Sequence, residues 1–153
     1  MKKIISKIRD IQHIEKELHT NPVGVLALNL KDDELVQTAT TFLYQDKNVY
    51  FFLDDKDELF ENLKFETDVK FILVKNEKLK KNKLDFTPVY NILSISIAGL
   101  IKKVDDDKLL ILIKKNYLKK YSSKVEEKEK SLKSNKVIFI DTEEIQAFEE
   151  MGG

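Results

Sequence analysis

Apolar positions in this chain fall into short, nearly continuous runs separated by brief polar turns, and runs of that length read as strands. The densest succession lies between positions 23 and 74. Asn21-Pro22 halts whatever helix precedes it, because proline lacks an amide donor and forces the residue before it out of the helical region. Val23-Gly24-Val25-Leu26-Ala27-Leu28 follows as a first run, and residues 37–44, Gln-Thr-Ala-Thr-Thr-Phe-Leu-Tyr, form a second. After the turn Gln45-Asp46-Lys47-Asn48 comes an aromatic third run, Val49-Tyr50-Phe51-Phe52-Leu53. A short charged helical segment at residues 57–63 precedes another run at 69–74. Strand, turn, strand is the economical reading.

The flanks carry different periods. Ile4, Ile8, Ile11, Ile14 and Leu18 recur at helical spacing with Lys and Glu between them, which predicts an amphipathic helix packed on the sheet. In residues 90–104, Asn91, Leu93, Ile95 and Ile97 alternate with Ser94 and Ser96, the period of two of a half-buried strand. Gly99 there marks a bulge or a close approach. Asp105-Asp106-Asp107 offers N-caps for residues 108–121, whose Leu109, Ile113, Tyr117 and Tyr121 form one helical stripe. By periodicity alone, residues 109–113 could equally be a buried strand. Residues 122–136 are charged and are expected to be mobile at their middle, and Val137-Ile138-Phe139-Ile140 is expected to close the sheet.

Order and spacing between positions 23 and 74 resemble the flavin-binding split-barrel family, the pyridoxamine 5′-phosphate oxidase-like proteins. The matching pieces are Leu26-Ala27-Leu28, Lys31-Asp32-Asp33-Glu34, residues 38–44, Val49-Tyr50-Phe51-Phe52, residues 57–63 and residues 69–74. A weaker resemblance runs on through the strands at 90–104 and 137–140. It implies a mainly β single domain over residues 1–153: a six-stranded antiparallel split β-barrel with helices at its start, after the third strand and before the last. It favours the helical reading of residues 108–121.

The resemblance also implies a homodimer with flavin mononucleotide in the groove between protomers, its ring against the small-residue strand and its phosphate near the following helix start. Thr38, Thr40 and Thr41 match the ring-facing positions; strand propensity alone would also place threonine there. Where the family has Ser-x-Lys to hold the phosphate, this chain has Asp57-Glu58-Leu59, so a carboxylate replaces a hydroxyl and an apolar residue replaces a cation. Asp57 opposes a phosphate, or serves as a helix N-cap. Lys56 could compensate, and Asn62-Leu63 is retained. Two functions follow: an oxidoreductase in which flavin acts on an unknown small substrate, or a non-enzymatic dimeric module that lost the phosphate grip and holds haem or another planar ligand. The aromatic Tyr50, Phe51, Phe52, Phe60 and Phe65 exceed what one small barrel hides on one side, a second reason to expect a dimer.

Composition narrows the chemistry. The chain of 153 residues has no Cys, which removes disulfides, thiolate catalysis and Cys-held metal centres and fits a reducing, cytoplasmic setting. Its 27 basic and 27 acidic residues cancel, so no global field recruits nucleic acid or an anionic membrane. The start has the lysines of a signal peptide without its apolar core. The basic run at 75–83 lacks interleaved aromatics and reads as a solvated loop or strand extension. Phosphate loops, nucleophile elbows and zinc-protease helices have no counterpart. Asp54-Asp55 is a solvated turn. His13 and His19 point to different sides of their helix, so no metal site is expected.

Overall fold

The computed structural model describes residues 3–54, 58–78, 90–121 and 136–152. Among the described residues eight strands and three helices follow in order: β1 (Lys3–Ile8), α1 (Ile11–Thr20), β2 (Gly24–Asn29), β3 (Leu35–Thr40), β4 (Leu43–Gln45), β5 (Asn48–Phe52), α2 (Leu59–Asn62), β6 (Asp68–Lys78), β7 (Tyr90–Lys103), α3 (Asp107–Tyr121) and β8 (Val137–Gly152). Every strand pairing is antiparallel, in the order β3-β2-β6-β7-β8-β5-β4, with β1 added to the far half of β8.

That order forces the sheet to curl. β3 and β4 form its opposite edges, yet only Thr41 and Phe42 separate them in sequence. Three backbone steps reach at most about 11 Å, so the two edges are drawn together without pairing. The result is a barrel with a seam, and Phe42 sits in it, fully buried, its ring 4.8 Å from that of Phe71 on β6. The expected split barrel is present with two more strands than anticipated. One arises because residues 37–44 break at this seam into β3 and β4. The other is β1, where a helix was expected: Ile4 and Ile8 pair with Met151 and Ala147 of β8, and the helix begins only after Asp10, whose Oδ1 accepts from the Gln12 N–H at 3.1 Å. Isoleucine spacing in residues 4–11 suits a helix, but β-branched residues beside an unfilled strand edge gain more from the ladder.

β7 and β8 are the long staves. β8 pairs with β7 along its length, with β5 through Val137–Ile140 partners and with β1 through residues 147–152. Gly99 lies opposite a bulge in β8, where Glu143 is the extra residue, and a Cβ there would overlap the carbonyl of Asp141.

Two apolar layers result. The main core inside the barrel gathers Leu26, Leu28, Phe42, Phe51, Phe71, Leu73, Ile95, Ile97 and Ile140 under Ile14 and Leu18 of α1. A second lies outside β5 and β8, where Leu43, Tyr50 and Val137 meet Ile113 of α3, with Phe52 and Tyr117 at its margin. β5 thus buries Val49 and Phe51 inward and turns Tyr50 and Phe52 toward α3. Of the aromatic set, Tyr50 and Phe51 are buried within the chain while Phe52, Phe60 and Phe65 are half-buried: Tyr50 stacks on Phe139 at 5.3 Å and Phe52 packs on Tyr117 at 4.4 Å. Residues 108–121 are helical, with Asp106 Oδ1 accepting from the N–H of Lys108 at 2.9 Å and, at a longer 3.4 Å, that of Leu109. α1 is tied to β6 by the buried Glu17, which accepts from Asn21 Nδ2 at 2.8 Å and pairs with Lys75 Nζ at 3.2 Å. Among the described residues, no helix is long and apolar enough to cross a membrane.

Candidate functional site at the seam

Breaking a strand leaves backbone groups without ladder partners, and buried ones must find others. At the seam α3 supplies them. Residues 113, 117, 120 and 121 recur three and four apart, so they share one face of α3. Tyr121 accepts from the Phe42 N–H at 3.0 Å, and its own proton lies between the carbonyls of Phe42 (2.7 Å) and Pro22 (2.8 Å). Lys120 Nζ donates to the carbonyls of Phe42 at 3.0 Å and Leu18 at 3.4 Å and rests 3.6 Å from the centroid of the Phe42 ring. One turn earlier, the hydroxyls of Tyr117 and Thr41 are 2.7 Å apart.

These contacts shift ionisation. Burial pushes the Lys120 ammonium down to about 8, because taking a cation out of water favours the neutral amine. Burial pushes the Tyr121 phenol up to about 12, opposed in part by the hydrogen bond from Phe42. Tyr44 is held protonated well above its ordinary range, first by burial and then by donating to Glu15 Oε2 at 3.0 Å.

Beside Lys120 opens a cleft of about 700 Å³ between the end of α1, the β4–β5 turn and the last turns of α3. His19, Thr20, Leu43, Tyr44, Asp46 and Asn116 line it, with Gln45, Lys119 and Lys120. His19 stands edge-on to Tyr44 at 5.3 Å, and Asn116 Nδ2 donates to Gln45 Oε1 at 2.5 Å. Asp46 and Lys47 both have positive φ in the tight β4–β5 turn, which fixes the cleft's rim.

The expected site residues fall in two places. Thr38 and Thr40 lie on β3 opposite Leu26 and Gly24, on the face turned toward the barrel, half-buried on an edge strand. Their hydroxyls donate to the carbonyls of Ala39 at 3.3 Å and Thr41 at 3.0 Å. With Thr41 they form one hydroxyl-bearing group beside the seam. Asn62 is elsewhere: its side-chain amide and its N–H both donate to the Glu58 carbonyl, at 3.0 and 3.2 Å, and its carbonyl accepts from Lys31 at 2.8 Å. It therefore sits by the β2–β3 turn, about 17 Å along the hairpin from Thr40 at 3.3 Å per residue. Lys56 and Asp57 lie outside the described residues; α2 opens with Glu58 at the N-cap position and makes no side-chain cap there. His13 is exposed on α1. Sequence reasoning put Tyr117 and Tyr121 on an apolar stripe and passed over Lys120. The available signal was a lysine on the buried face of an otherwise apolar helix, next to a tyrosine.

No curated protein matches the chain. Its fold is similar to a FAD-binding protein from Mesorhizobium loti, at 16% identity, with 99% of this chain and 100% of that one covered and a TM-score of 0.66. It is similar to a flavocytochrome from Azotobacter vinelandii at 15% identity, covering 92% of this chain and 67% of that one, with a TM-score of 0.70. A heme binding protein from Mycobacterium smegmatis aligns at 13% identity over 92% of this chain and 55% of its own, with a TM-score of 0.63. At such identities the likeness speaks for the fold. The sequence model described as pyridoxamine 5'-phosphate oxidase matches residues 10–149, nearly the whole chain. The chain belongs to the pyridoxamine 5′-phosphate oxidase-like family of split barrels.

Proposed function

We propose that this protein is a flavoprotein that binds flavin mononucleotide and moves electrons or hydride between it and a small substrate. The observation that carries the reading is the hydroxyl-bearing edge strand. Thr38 and Thr40 lie half-buried on β3, whose outer edge has no ladder partner among the described residues, and Thr41 stands beside them. A flat ring laid there meets small side chains and free backbone amides, which orient a flavin and tune its nitrogens, while the flavin supplies the redox chemistry. Family membership and the flavin-binding relatives support the choice of cofactor.

The same reading includes a homodimer in the cytoplasm, the compartment resting on the absence of Cys. Tyr50 and Phe51 of the aromatic strand, buried within the chain, lend it little surface. Support comes instead from the outer wall, where Ala39, Val25, Ile72 and Ser96 lie in one row across β3, β2, β6 and β7. Val25, Ile72 and the neighbouring Val74 are exposed, the last by 59%. A flat row of small and β-branched side chains suits a second copy about a two-fold axis, where each patch meets itself.

A second reading, a non-enzymatic module for another planar ligand, is favoured by one observation. The side-chain amide of Asn62 donates back to Glu58 of its own turn, and Leu59, where the resemblance implies a phosphate-holding lysine, packs against the main core. The two readings separate in an absorbance spectrum of purified protein followed by titration of dialysed protein with flavin mononucleotide. Flavin bands and saturable binding are expected. A colourless protein that ignores flavin overturns the first reading, and a Soret band turns the second toward haem.

A further inference from the structure

The Lys120 cleft adjoins the seam, but neither the threonines nor Asn62 line it, and its chemistry is specific. An ammonium has three donors. The carbonyls of Leu18 and Phe42 take two, and the Phe42 ring takes part of the positive charge. Among the described residues no carboxylate pairs with Lys120. Glu15 is engaged by Tyr44, Glu17 by Lys75 and Asn21, and Asp46, on the opposite rim, makes no contact with it. Carbonyl dipoles and a ring solvate a cation without neutralising it, and a cation so placed is costly unless a counter-charge arrives. The remaining walls suit the body of a small molecule. Leu43 and Tyr44, both nearly buried, form its floor, and His19, Thr20, Gln45 and Asn116 offer polar groups at the edges.

We propose that this cleft binds a small carboxylate, its anionic group paired with Lys120 and its body resting on the floor that Tyr44 and Leu43 form. A monoanion is specified because the walls hold one embedded cation and Asp46 opposes a second negative charge; Lys119 is exposed and adds a weaker, screened attraction. The phenols of Tyr44 and Tyr121 remain protonated and neutral. Linkage fixes the pH dependence. The anion pairs with the ammonium, and in the free protein that ammonium titrates near 8. Binding above that value therefore takes up a proton, and affinity falls by about tenfold per pH unit until the bound form itself titrates.

The test uses dialysed, flavin-free protein labelled with carbon-13 lysine, titrated with benzoate and, separately, with neutral benzamide. Benzoate is expected to shift the Lys120 ε-carbon saturably, to raise its titration midpoint above 8, and to bind about tenfold or more tightly than benzamide. Lys120→Met removes the preference for benzoate, whereas Lys119→Met keeps most of it. Equal binding of benzoate and benzamide, or benzoate saturation that leaves the Lys120 midpoint unmoved, overturns the proposal. So does absence of benzoate binding at pH 7. The midpoint is read on the unaltered protein, so the result stands even where Lys120→Met fails to fold. Failure would leave the flavin reading standing, since none of Thr38, Thr40 and Thr41 lines the cleft.

Discussion

The hydroxyl of Tyr121 serves both backbone groups of Phe42, accepting from its N–H at 3.0 Å and facing its carbonyl at 2.7 Å. A helix thereby supplies what a neighbouring strand would supply in a closed barrel, at the point where β3 and β4 part. Tyr121→Phe keeps the ring and removes the oxygen, leaving a buried N–H unpaired. The expected loss is about 1–3 kcal/mol, read as a lower urea midpoint with unchanged slope and a melting temperature lower by roughly 2–4 °C per kcal/mol. A variant as stable as the parent would mean that the seam relaxes around the lost bond.

Gly99 offers an independent check on the register of the long staves. The β8 bulge opposite it brings the Asp141 carbonyl against Gly99, and a carbonyl has no side-chain freedom with which to yield. Gly99→Ala is expected to destabilise by about 1–3 kcal/mol through overpacking, despite the usual small gain from replacing glycine in a strand. Thermal unfolding measures it, and a neutral or stabilised variant would place the bulge elsewhere.

Much of this architecture is readable in the residues. Asn21-Pro22 ends α1 with Asn21 in an extended conformation, the alternation around Ile95 and Ile97 gives β7, and Asp106 caps α3. The misreadings share a cause: they depend on partners distant in sequence. β1 looks helical until β8 is there to pair with it. β8 runs far beyond Ile140 through Asp141-Thr142-Glu143-Glu144, a stretch of low strand propensity held by β7 alongside. Residues 37–44 look continuous because nothing local says that a sheet must open at Phe42. The threonines were legible as a small-residue strand. Lys120 was not, because an isolated lysine in a helix reads as solvated until its burial is known.

The proposed dimer predicts a sensitive position. Ile72 is central in the exposed row, flanked in register by Val25 and Ser96. Ile72→Glu would bring a carboxylate toward its symmetry mate in a desolvated contact, weakening association by about tenfold or more, with little cost to a protomer in which the position is 39% exposed. Sedimentation velocity at micromolar concentration is expected to show a dimer for the parent and a monomer for the variant. A monomeric parent would remove the dimer from the proposal.

The phosphate of a bound flavin is the most exacting test of the cofactor reading, because the chain departs from its family at that point. Asp57 and Leu59 stand where the resemblance to the family implies Ser and Lys. Like charges about 4 Å apart repel by about 4 kcal/mol at an effective dielectric of 20, less once solvent screens them. If the phosphate lies there, Asp57→Ser removes a repulsion and adds a donor, tightening flavin mononucleotide by about tenfold in fluorescence titration, and Lys56→Ala weakens it. Leu59→Lys is the less informative partner change, since Leu59 packs against the main core and its loss costs stability as well. Riboflavin, which has the ring without the phosphate, supplies the control. Its affinity is expected to stay the same in Asp57→Ser, so a variant that improves both ligands equally has changed the ring site, and one that improves neither places the phosphate away from this turn.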